Sequence, residues 1–276
     1  MAKRIALIDG DLIVYRAAWA AEQGIEWEDG VHTLHVDPAA LEQISETVLG
    51  QIEQAIKPDK MIVCLSEPAR VFRHDLFDGY KANRKGQRKP IAWKAARAHL
   101  EATTNAVWRP RLEADDIMGI LATGQTKLAP ASADRIICSV DKDMKQIPGL
   151  HYDWTKDEGV RVVSEQDADA FFYTQTIAGD PTDGIPGIPG VGMVKAAKLL
   201  AEPFEGTAWE HIVSIYEKRG FTEEYALTMA RLVRILRASD YDFTKKEVRL
   251  WTPEIRFAPP PPEAHIESLR MAEEER

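Results

Sequence analysis

Eight carboxylates occur in short groups at the ends of buried stretches of this chain. Carboxylates are hard oxygen ligands, which suit Mg²⁺ or Mn²⁺. Brought together without a cation, they would repel one another and raise each other's pKa values. Two divalent cations about 3.5–4 Å apart would relieve this repulsion, activate water and stabilise a leaving phosphate oxygen. The eight are Asp9, Glu113, Asp115, Asp116, Asp141, Asp143, Asp180 and Asp183.

Three of these carboxylates follow apolar runs that are typical of strands buried on both faces. Asp9 ends the run Ile5 to Ile8, and Asp141 and Asp143 follow the run Asp134 to Val140. Ligands of parallel α/β sheets bind just beyond the carboxyl ends of the strands, so these positions favour chemistry. A turn-forming Asp-Gly pair at Asp9 and a solvated loop after residue 140 are the structural alternatives.

The stretch Glu113-Ala114-Asp115-Asp116 lies in the first turn of a helix expected over Leu112 to Leu121. Acids there interact favourably with the helix dipole, which is the structural alternative. The helix dipole alone does not favour three acids in four residues, because their like charges repel one another. On a regular helix Glu113 and Asp116 share a face. If Glu113 lies at the non-helical entry, all three could approach one metal site.

Asp180 and Asp183 open a stretch rich in glycine and proline, residues 179–192, that leads into a helix over Met193 to Leu200. A Gly-x-Pro-Gly-x-Gly turn entering a helix presents backbone N–H groups at a positive dipole end, which is a candidate seat for phosphate. The alternative is a tight turn between two helices with capping aspartates.

Positive charge is concentrated in one segment, with aromatic residues between the charges. From Arg70 to Arg97 nine basic residues face only Asp75 and Asp78, so the segment carries +7 and the rest of the chain −16 of the total −9. This composition suits single-stranded nucleic acid, because charge follows the backbone and rings stack on bases. The alternative is a solvated helix face. The basic residues are Arg70, Arg73, Lys81, Arg84, Lys85, Arg88, Lys89, Lys94 and Arg97.

The order of apolar patterns predicts an α/β fold with a mainly parallel central sheet flanked by helices. We expect a catalytic core over residues 1–178, with the basic segment at about 70–107, and a helical region over 179–276 that ends in a proline-rich tail. The expected strands include Lys60 to Leu65, a hairpin edge at Val31 to Val36, a hairpin of His151 to Trp154 with Val160 to Val163, and an edge strand at Glu247 to Trp251. The expected helices are Leu12 to Ala21, Pro38 to Ile56, Ile91 to Ala106, Ser164 to Ala178, Thr207 to Lys218 and Thr222 to Ala238.

Bulk composition excludes several classes of protein. With 45 % apolar and 29 % charged residues over 276 positions, the chain is typical of a globular protein with a sizeable core. No apolar run reaches the roughly 18 residues of a membrane span, and the run before Asp9 is too short for a signal peptide. Cys64 and Cys138 lie in apolar runs and predict buried thiols in a reducing compartment. We therefore expect a cytoplasmic protein with no membrane partner.

Six motifs in this order resemble the 5′-nuclease family of flap endonucleases, the nuclease domain of bacterial DNA polymerase I and phage 5′→3′ exonucleases. The absence of a polymerase makes the chain most similar to stand-alone phage exonucleases. The motifs are Ile8-Asp9-Gly10, Phe72-Arg73-His74, Tyr80-Lys81-Ala82-Asn83-Arg84, Glu113-Ala114-Asp115-Asp116, Asp141-Lys142-Asp143 and the glycine-rich turn.

The resemblance implies a PIN-like 5′-nuclease fold with a helical arch and a C-terminal helix–hairpin–helix motif. It implies that one of two Mg²⁺ or Mn²⁺ ions is served by Asp9, Glu113, Asp115 and Asp116, and the other by Asp141, Asp143, Asp180 and Asp183. Lys81 and Arg84 would act on the scissile phosphate and Tyr80 would stack on a terminal base. A K⁺ ion could sit at the hairpin. The expected DNA-binding residues are Arg73, Tyr80, Lys81, Arg84, Lys85, Arg88, Lys89, Gly187, Gly190, Val191, Gly192 and Lys195.

One position departs from the family pattern. Many members carry Phe-Asp at the end of the second strand, where this chain has Ser66 followed by Glu67. Either Glu67 supplies the carboxylate from a shifted register, or the first metal site has one ligand fewer. Because adjacent strand residues point to opposite faces, only a bend would bring Glu67 to the site.

Three functions fit these patterns. The first is a metal-dependent 5′→3′ exodeoxyribonuclease of duplex DNA in replication or recombination, which could also cut flaps or the RNA of an RNA–DNA hybrid. We expect this enzyme to be a monomer. The second is a structure-specific DNA-binding protein with weak or no cleavage, which Ser66 motivates. Concentrated negative charge near phosphates argues against a pure binder. The third is an RNA-cutting relative, although such domains usually lack the glycine-rich turn.

Overall fold

The structure is a computed structural model that describes residues 2–28 and 30–253. The proline-rich tail predicted at 259–262 lies outside the described residues. The described strands are β1 (Arg4–Asp9), β2 (Glu22–Glu26), β3 (His32–Val36), β4 (Lys60–Cys64), β5 (Ala106–Val107), β6 (Asp134–Cys138), β7 (Gly149–Tyr152), β8 (Arg161–Val163), β9 (Tyr241–Asp242) and β10 (Glu247–Val248).

The described helices comprise nine α-helices and several short 3₁₀ turns. Their bounds are α1 (Gly10–Ala20), α2 (Pro38–Ile56), α3 (Arg73–Leu76), α4 (Trp93–Thr103), α5 (Ala114–Thr123), α6 (Glu165–Ala178), α7 (Met193–Leu200), α8 (Ala208–Glu217) and α9 (Glu223–Val233).

A six-stranded sheet in the order β5-β4-β1-β6-β7-β8 forms the centre of the fold. Strand β1 lies between β4 and β6 and is parallel to both, and the β4–β5 and β6–β7 pairs are parallel as well. The side chains of Ile5 to Ile8 are at most 5 % exposed, as their continuous apolar run predicts for a strand covered on both faces. The expected mainly parallel α/β sheet is confirmed.

Local sequence signals explain where the main helices begin and end. Asp37 caps α2 by accepting hydrogen bonds from the Ala39 and Ala40 amides, with Pro38 at the first helical position, where proline lacks an N–H that would be unpaired anyway. Ser164 caps α6 through the Asp167 amide. The helix expected over 91–106 ends at Thr103, because residues 106–107 pair with β4 as strand β5.

The junction between β1 and α1 requires glycine at position 10. A Cβ atom there would lie 2.6 Å from Val63 Cγ1 and 2.7 Å from the Cys64 carbonyl oxygen. Gly10 therefore lets the end of β1 approach β4 closely, and this approach fixes where the neighbouring Asp9 and Asp11 lie.

Two compact units divide the described chain. Within residues 2–28 and 30–253, the first comprises the residues up to 69, 86–144 and 149–162, and the second comprises 70–85, 145–148 and 163–253. In the first unit α1 packs against α2 and α4, while α5 packs against β1, β4 and β6. In the second unit α6 contacts α7 and α9. Strands β2 and β3 form a separate antiparallel hairpin, as the pattern at 31–36 predicts.

The boundaries of these compact units differ from the division at residue 178 that the sequence predicts. Helix α6 belongs to the second unit because Phe172 and Ile177 pack into one apolar cluster with Ile212, Tyr216 and Met229. Residues 70–85 join the same unit, so the basic segment is split between the two. The functional division into a catalytic core and a DNA-binding region stays a prediction. In the described part of the chain no helix is long and apolar enough to cross a membrane.

Candidate active site

The first unit gathers carboxylates at the carboxyl ends of β1 and β6 and at the start of α5. We call this group the acidic edge. Residue 9 ends β1, residue 141 follows β6, and α5 packs against both strands. Parallel strands bring their carboxyl ends to one edge of a sheet, which explains the convergence. The members of the acidic edge are Asp9, Asp11, Glu113, Asp115, Asp116, Asp141 and Asp143.

Asp9 lies at the centre of the acidic edge and is 3 % exposed. Its Oδ2 accepts a hydrogen bond of 2.8 Å from the Ser139 hydroxyl, and its Oδ1 accepts one of 3.3 Å from the Leu12 amide. Burial, followed by the charge of Asp11, raises the pKa of Asp9 from 3.8 to about 7, and Asp141 adds a smaller effect. The carboxylate is thus costly to ionise in the absence of a cation.

Asp115 belongs to the same electrostatic group. Burial raises its pKa well above the ordinary value, and the charges of Asp9, Asp141 and Glu113 raise it further. Asp141 is fixed by its own loop, because its amide donates to the Ser139 hydroxyl over 3.0 Å and its Oδ1 accepts from the Asp143 amide over 2.8 Å. These contacts bring together side chains from three separate parts of the sequence.

Glu113 and Asp116 mark the start of α5. Glu113 has extended backbone angles at the N-cap position, so it lies at the non-helical entry that allows three acids to approach one site. Asp116 is fully buried, and its Oδ2 accepts a 3.1 Å hydrogen bond from the Glu113 amide. The structure therefore gives Asp116 a capping role in addition to any metal role predicted from sequence.

Asp11 is the member of the acidic edge that the sequence patterns did not single out. It lies in the first turn of α1, and its Oδ1 accepts a 3.2 Å hydrogen bond from the Ser66 amide. Burial raises the pKa of Asp11, and the charge of Glu113 raises it further, while Ser66 and Arg97 lower it. Its spacing of two residues from Asp9 was the available signal.

The side chains of the acidic edge have the chemistry of a site for a hard cation. The described ion pairs include none with Asp9, Asp11, Asp115 or Asp141. Within residues 2–28 and 30–253, however, no three carboxylate, imidazole or thiol groups form a ready-made coordination shell. Mg²⁺ commonly keeps several waters and uses only one or two carboxylates. The donor set therefore fits a partly hydrated cation.

The side chain of Glu67 accepts a hydrogen bond within its own loop, and its metal role stays a prediction. Its Oε1 accepts a hydrogen bond from the Ala69 amide of its own loop over 3.2 Å, and its amide pairs with the Leu112 carbonyl. Ser66 occupies the strand end instead, where its hydroxyl accepts from the Ala114 amide over 2.9 Å. The structure thus gives Ser66, rather than Glu67, contacts to the acidic edge.

In the second unit, Asp183 has the opposite environment. Its Oδ2 lies 3.5 Å from Lys81 Nζ and accepts a 3.2 Å hydrogen bond from the Tyr80 hydroxyl, while its Oδ1 pairs with the Arg84 guanidinium. The Lys81 amide also donates to the Asp183 carbonyl over 2.7 Å. We call these four residues the Asp183 cluster. Asp183 thus orders the side chains of Lys81 and Arg84, which the family resemblance predicts to act on the scissile phosphate.

Asp180 and the glycine-rich turn follow directly in the chain. Asp180 Oδ1 accepts a 2.9 Å hydrogen bond from the Thr182 amide, as expected of a capping aspartate. Gly190, Gly192 and Lys195 are exposed at the turn that enters α7, whereas Gly187 is buried. A Cβ atom at Gly187 would lie 2.3 Å from the Gly179 amide nitrogen, so this glycine is needed for backbone packing.

Several expected DNA-binding residues are buried in the second unit. Arg73 is 4 % exposed and donates to the Leu232 and Arg234 carbonyls at the end of α9. Tyr80 and Val191 lie in the same apolar cluster as Ile185. These side chains pack against protein and expose at most 5 % of their surface, and their direct base or phosphate contacts stay a prediction. Arg73, Tyr80, Val191 and Gly187 therefore pack inside the second unit and form little of its exposed surface.

Three expected DNA-binding cations lie on the exposed stretch that follows residue 84. Lys85 is exposed, Arg88 pairs with Glu22 over 2.8 Å and covers the Trp19 ring, and Lys89 Nζ lies 4.4 Å from the centre of the Trp93 ring. Two of these cations, Arg88 and Lys89, thus lie over aromatic rings of the first unit.

Comparison with solved structures defines the fold class. A structure of divalent metal ions (zinc) bound to T5 5′-exonuclease superposes with a TM-score of 0.56 at 18 % identity, covering 84 % of this chain and 89 % of that one. A bacteriophage T5 flap endonuclease in a pseudo-enzyme-product complex with DNA and metal ions gives a TM-score of 0.57 with the same coverage and identity. The fold is that of a 5′-nuclease.

Sequence comparison defines the family. Residues 4–173 match the family described as 5′-3′ exonuclease, N-terminal resolvase-like domain, and the chain belongs to this family. It is 32 % identical to an exodeoxyribonuclease of Enterobacteria phage T3, over 91 % of this chain and 93 % of that protein. It is also 32 % identical to an exonuclease of Escherichia phage T7, over 91 % of this chain and 94 % of that protein. The expected resemblance and enzyme class are confirmed.

Proposed function

We propose that this protein is a metal-dependent 5′→3′ exodeoxyribonuclease that hydrolyses phosphodiester bonds of duplex DNA from 5′ ends. The observation that supports metal dependence is the acidic edge, where Asp9, Asp115 and Asp141 interact electrostatically and form no ion pair with the residues that the structure describes. A pure DNA-binding surface gains nothing from such charge, because it repels phosphate. Family membership supports the polarity.

The contacts within the acidic edge support a division of roles among its carboxylates. Asp9, Asp115 and Asp141, with Asp143 and Glu113 beside them, would hold up to two Mg²⁺ or Mn²⁺ ions. The bound ions would supply an activated water and charge stabilisation at the leaving oxygen. Ser139 orients the Asp9 carboxylate and the Asp141 amide at the same time, so it would fix the spacing of these two ligands. Asp180 and Asp183 stay candidate ligands from the family pattern.

Lys81 and Arg84 would bind phosphate oxygens of the substrate. Both are already ordered by Asp183, so little conformational entropy is lost when the phosphate arrives. Arg84 offers a planar fork for two oxygens and Lys81 a point charge. Exposed Lys85, Lys89 and Lys195 would contact the DNA backbone, as would the amides near Gly190 and Gly192, reading shape rather than sequence.

The deciding experiment follows a duplex labelled at either the 5′ or the 3′ end, with Mg²⁺, with Mn²⁺ and with EDTA. We expect the 5′ label to be released before the 3′ label, in either metal but not in EDTA. Asp141→Asn should abolish release while leaving DNA retention in a gel-shift assay intact. Asp59→Asn is the matched control, because Asp59 caps the amino end of β1 through the Arg4 amide.

Tight DNA binding with no release in any metal would replace this proposal with the structure-specific binding protein. Parallel substrates with a 5′ flap or an RNA–DNA hybrid test the narrower activities, which we propose as secondary. We also propose that the protein acts as a monomer in the cytoplasm of a host cell. Potassium titration of duplex affinity tests the proposed K⁺ ion at the glycine-rich turn.

A further inference from the structure

A strongly acidic stretch of the first unit lies outside the candidate active site. From Ala17 to Ile56 the sequence holds eight acidic residues and no Lys or Arg, so this stretch carries −8 of the total −9. Such a stretch repels DNA, because the phosphates have the same sign of charge. The eight acids are Glu22, Glu26, Glu28, Asp29, Asp37, Glu42, Glu46 and Glu53.

The same region exposes many large apolar side chains. Of the twelve large apolar residues that are exposed in the described part of the chain, six lie between positions 15 and 34. Exposed apolar residues that are scattered singly are ordinary, whereas a group of them marks an interaction surface. The six are Tyr15, Trp19, Ile25, Trp27, Val31 and Leu34.

The β2–β3 hairpin places three of these side chains on one face. Ile25 lies opposite Thr33, and the Trp27 amide donates to the Val31 carbonyl over 2.9 Å. Alternate residues of a strand share a face, and the Trp27 indole N–H accordingly donates to the Thr33 hydroxyl over 2.9 Å. Ile25, Trp27 and Val31 are 38 %, 52 % and 53 % exposed. The apolar face of the hairpin is therefore a solvent face.

The other face of the hairpin carries negative charge. The side chain of Glu26 is 72 % exposed, and its Oε1 lies 3.9 Å from His32 Nε2. At the base of the hairpin, Glu22 pairs with Arg88 over 2.8 Å. Within the residues that the structure describes, Glu26 and Glu28 form no ion pair with a Lys or Arg. The charge near the tip is thus not neutralised by the protein.

The edges of the hairpin are open to another strand. Strands β2 and β3 form a sheet of two strands, which has no third strand in the part of the chain that the structure describes. The outer edge of such a strand offers backbone N–H and C=O groups to an added chain. An extended peptide can bind there, with affinity from main-chain hydrogen bonds and specificity from its alternating side chains.

We propose that the edge of β2 binds an extended segment of another protein in which apolar side chains alternate with Lys or Arg. On an added strand, the apolar side chains would extend the face of Ile25 and Trp27, and the cations would lie beside Glu26. Charge complementarity selects this partner, because the acidic stretch repels nucleic acid and acidic protein segments. The inference is independent of the proposed metal-dependent function, since no residue of the hairpin belongs to the acidic edge.

The test uses the full chain and a short fluorescein-labelled peptide of alternating valine and lysine. Fluorescence anisotropy measures its binding, and hydrogen exchange locates the binding site. We expect the peptide to slow amide exchange at residues 22–27 more than at residues 32–36, because the added strand pairs with β2. Two control peptides, with Glu in place of lysine or with Ser in place of valine, should each bind roughly 10-fold more weakly or less.

Three variants make the test specific to the hairpin. Trp27→Ser removes the largest apolar side chain of the exposed face, and Glu26→Lys reverses a charge while leaving the Trp27 hydrogen bond in place. Each should weaken peptide binding roughly 10-fold without changing the release of a 5′ label from duplex DNA. Val162→Ser is the matched control, because Val162 is an apolar residue of β8 that is 74 % exposed, and it should change neither quantity.

Several results would overturn the proposal. These are absence of peptide binding, equal binding by the native chain and the Glu26→Lys variant, and equal binding of the serine–lysine peptide. Trp27-dependent binding of a labelled oligothymidylate would assign the surface to nucleic acid instead. A dimer of the native chain that Trp27→Ser dissociates in sedimentation would assign it to a second copy of this chain. Loss of label release from the native chain would contradict the nuclease and leave the peptide result intact.

Discussion

The acidic edge and the Asp183 cluster place carboxylates in opposite electrostatic surroundings. Around Asp9 the neighbours are other carboxylates, and its pKa is raised to about 7. Asp183 instead contacts an ammonium group, a guanidinium group and a phenol hydroxyl. The sequence assigns all of them to one class, acids of a metal-binding pattern. The structure distinguishes the acidic edge, whose carboxylates lack a neighbouring positive charge, from Asp183, which contacts Lys81 and Arg84.

The difference teaches what each group contributes to stability. Like charges gathered by the sheet cost folding free energy until a cation binds. The ion pairs of Asp183 instead stabilise the segment that carries Lys81 and Arg84. A cation should therefore stabilise the acidic edge strongly, whereas the Asp183 cluster is ordered without one.

The largest expected effect is the loss of cleavage when the acidic edge loses a ligand. Asp9→Asn should lower kcat by roughly 10³-fold, because several kcal/mol of charge stabilisation is lost. The measurement is release of a 5′ label under single-turnover conditions, with duplex affinity measured in parallel. Cleavage by Asp9→Asn at the native rate would mean that the acidic edge is not the reaction centre.

The next prediction contrasts two equal substitutions in the absence of metal. Asp115→Asn should raise the melting temperature in EDTA, because it removes a buried charge among like charges. Asp183→Asn should lower the free energy of unfolding by about 1 kcal/mol, since two partly exposed ion pairs are weakened. Both variants are measured by calorimetry at pH 7.5. Shifts of the same sign would break the comparison.

The pH dependence of stability sharpens the same comparison. The native pKa of Asp9, about 7, lies above the ordinary 3.8, so the native state binds a proton that the unfolded chain has lost. The contribution of Asp9 to the free energy of unfolding in EDTA is therefore greatest below about pH 4, and it falls as pH rises toward 7. Melting curves in EDTA between pH 5 and 8 should show this fall, and a smaller one in Asp9→Asn. Saturating Mn²⁺ should oppose it.

Substitutions at buried Arg73 and at exposed Lys195 distinguish residues that stabilise the second unit from residues that contact DNA. Arg73→Met should destabilise the protein by about 2 kcal/mol, because the Leu232 and Arg234 carbonyls lose a buried charged donor. Urea melts measure this change. Reduced duplex affinity in a fully folded Arg73→Met variant would show a direct DNA contact instead.

The smallest effect is expected from Lys195→Ala. It should leave the melting temperature unchanged and weaken duplex binding a few-fold, with the salt-dependence slope reduced by about 0.9. Fluorescence anisotropy at several salt concentrations tests this. An unchanged slope would remove Lys195 from the DNA surface.

Much of the fold and of the site followed from local sequence patterns. The continuous apolar run of β1, the capped start of α2 and the glycine-rich turn before α7 are local features, and each predicted its element. Asp9, Asp115 and Asp141 were predicted because acids at strand ends or in a helix entry are conspicuous. Asp11 was missed because an acid in a first helical turn has an ordinary local explanation.

The sequence by itself determined the order of the main strands and helices, the family and, apart from Asp11, the acids at the sheet edge. These depend on residue type, periodicity and spacing, which the chain carries locally. Only the tertiary structure decided that Asp183 is neutralised by Lys81 and Arg84, that Arg73 and Tyr80 are buried, and that Ser66 binds Asp11. Burial and partner choice arise from residues far apart in sequence, so no local pattern could fix them.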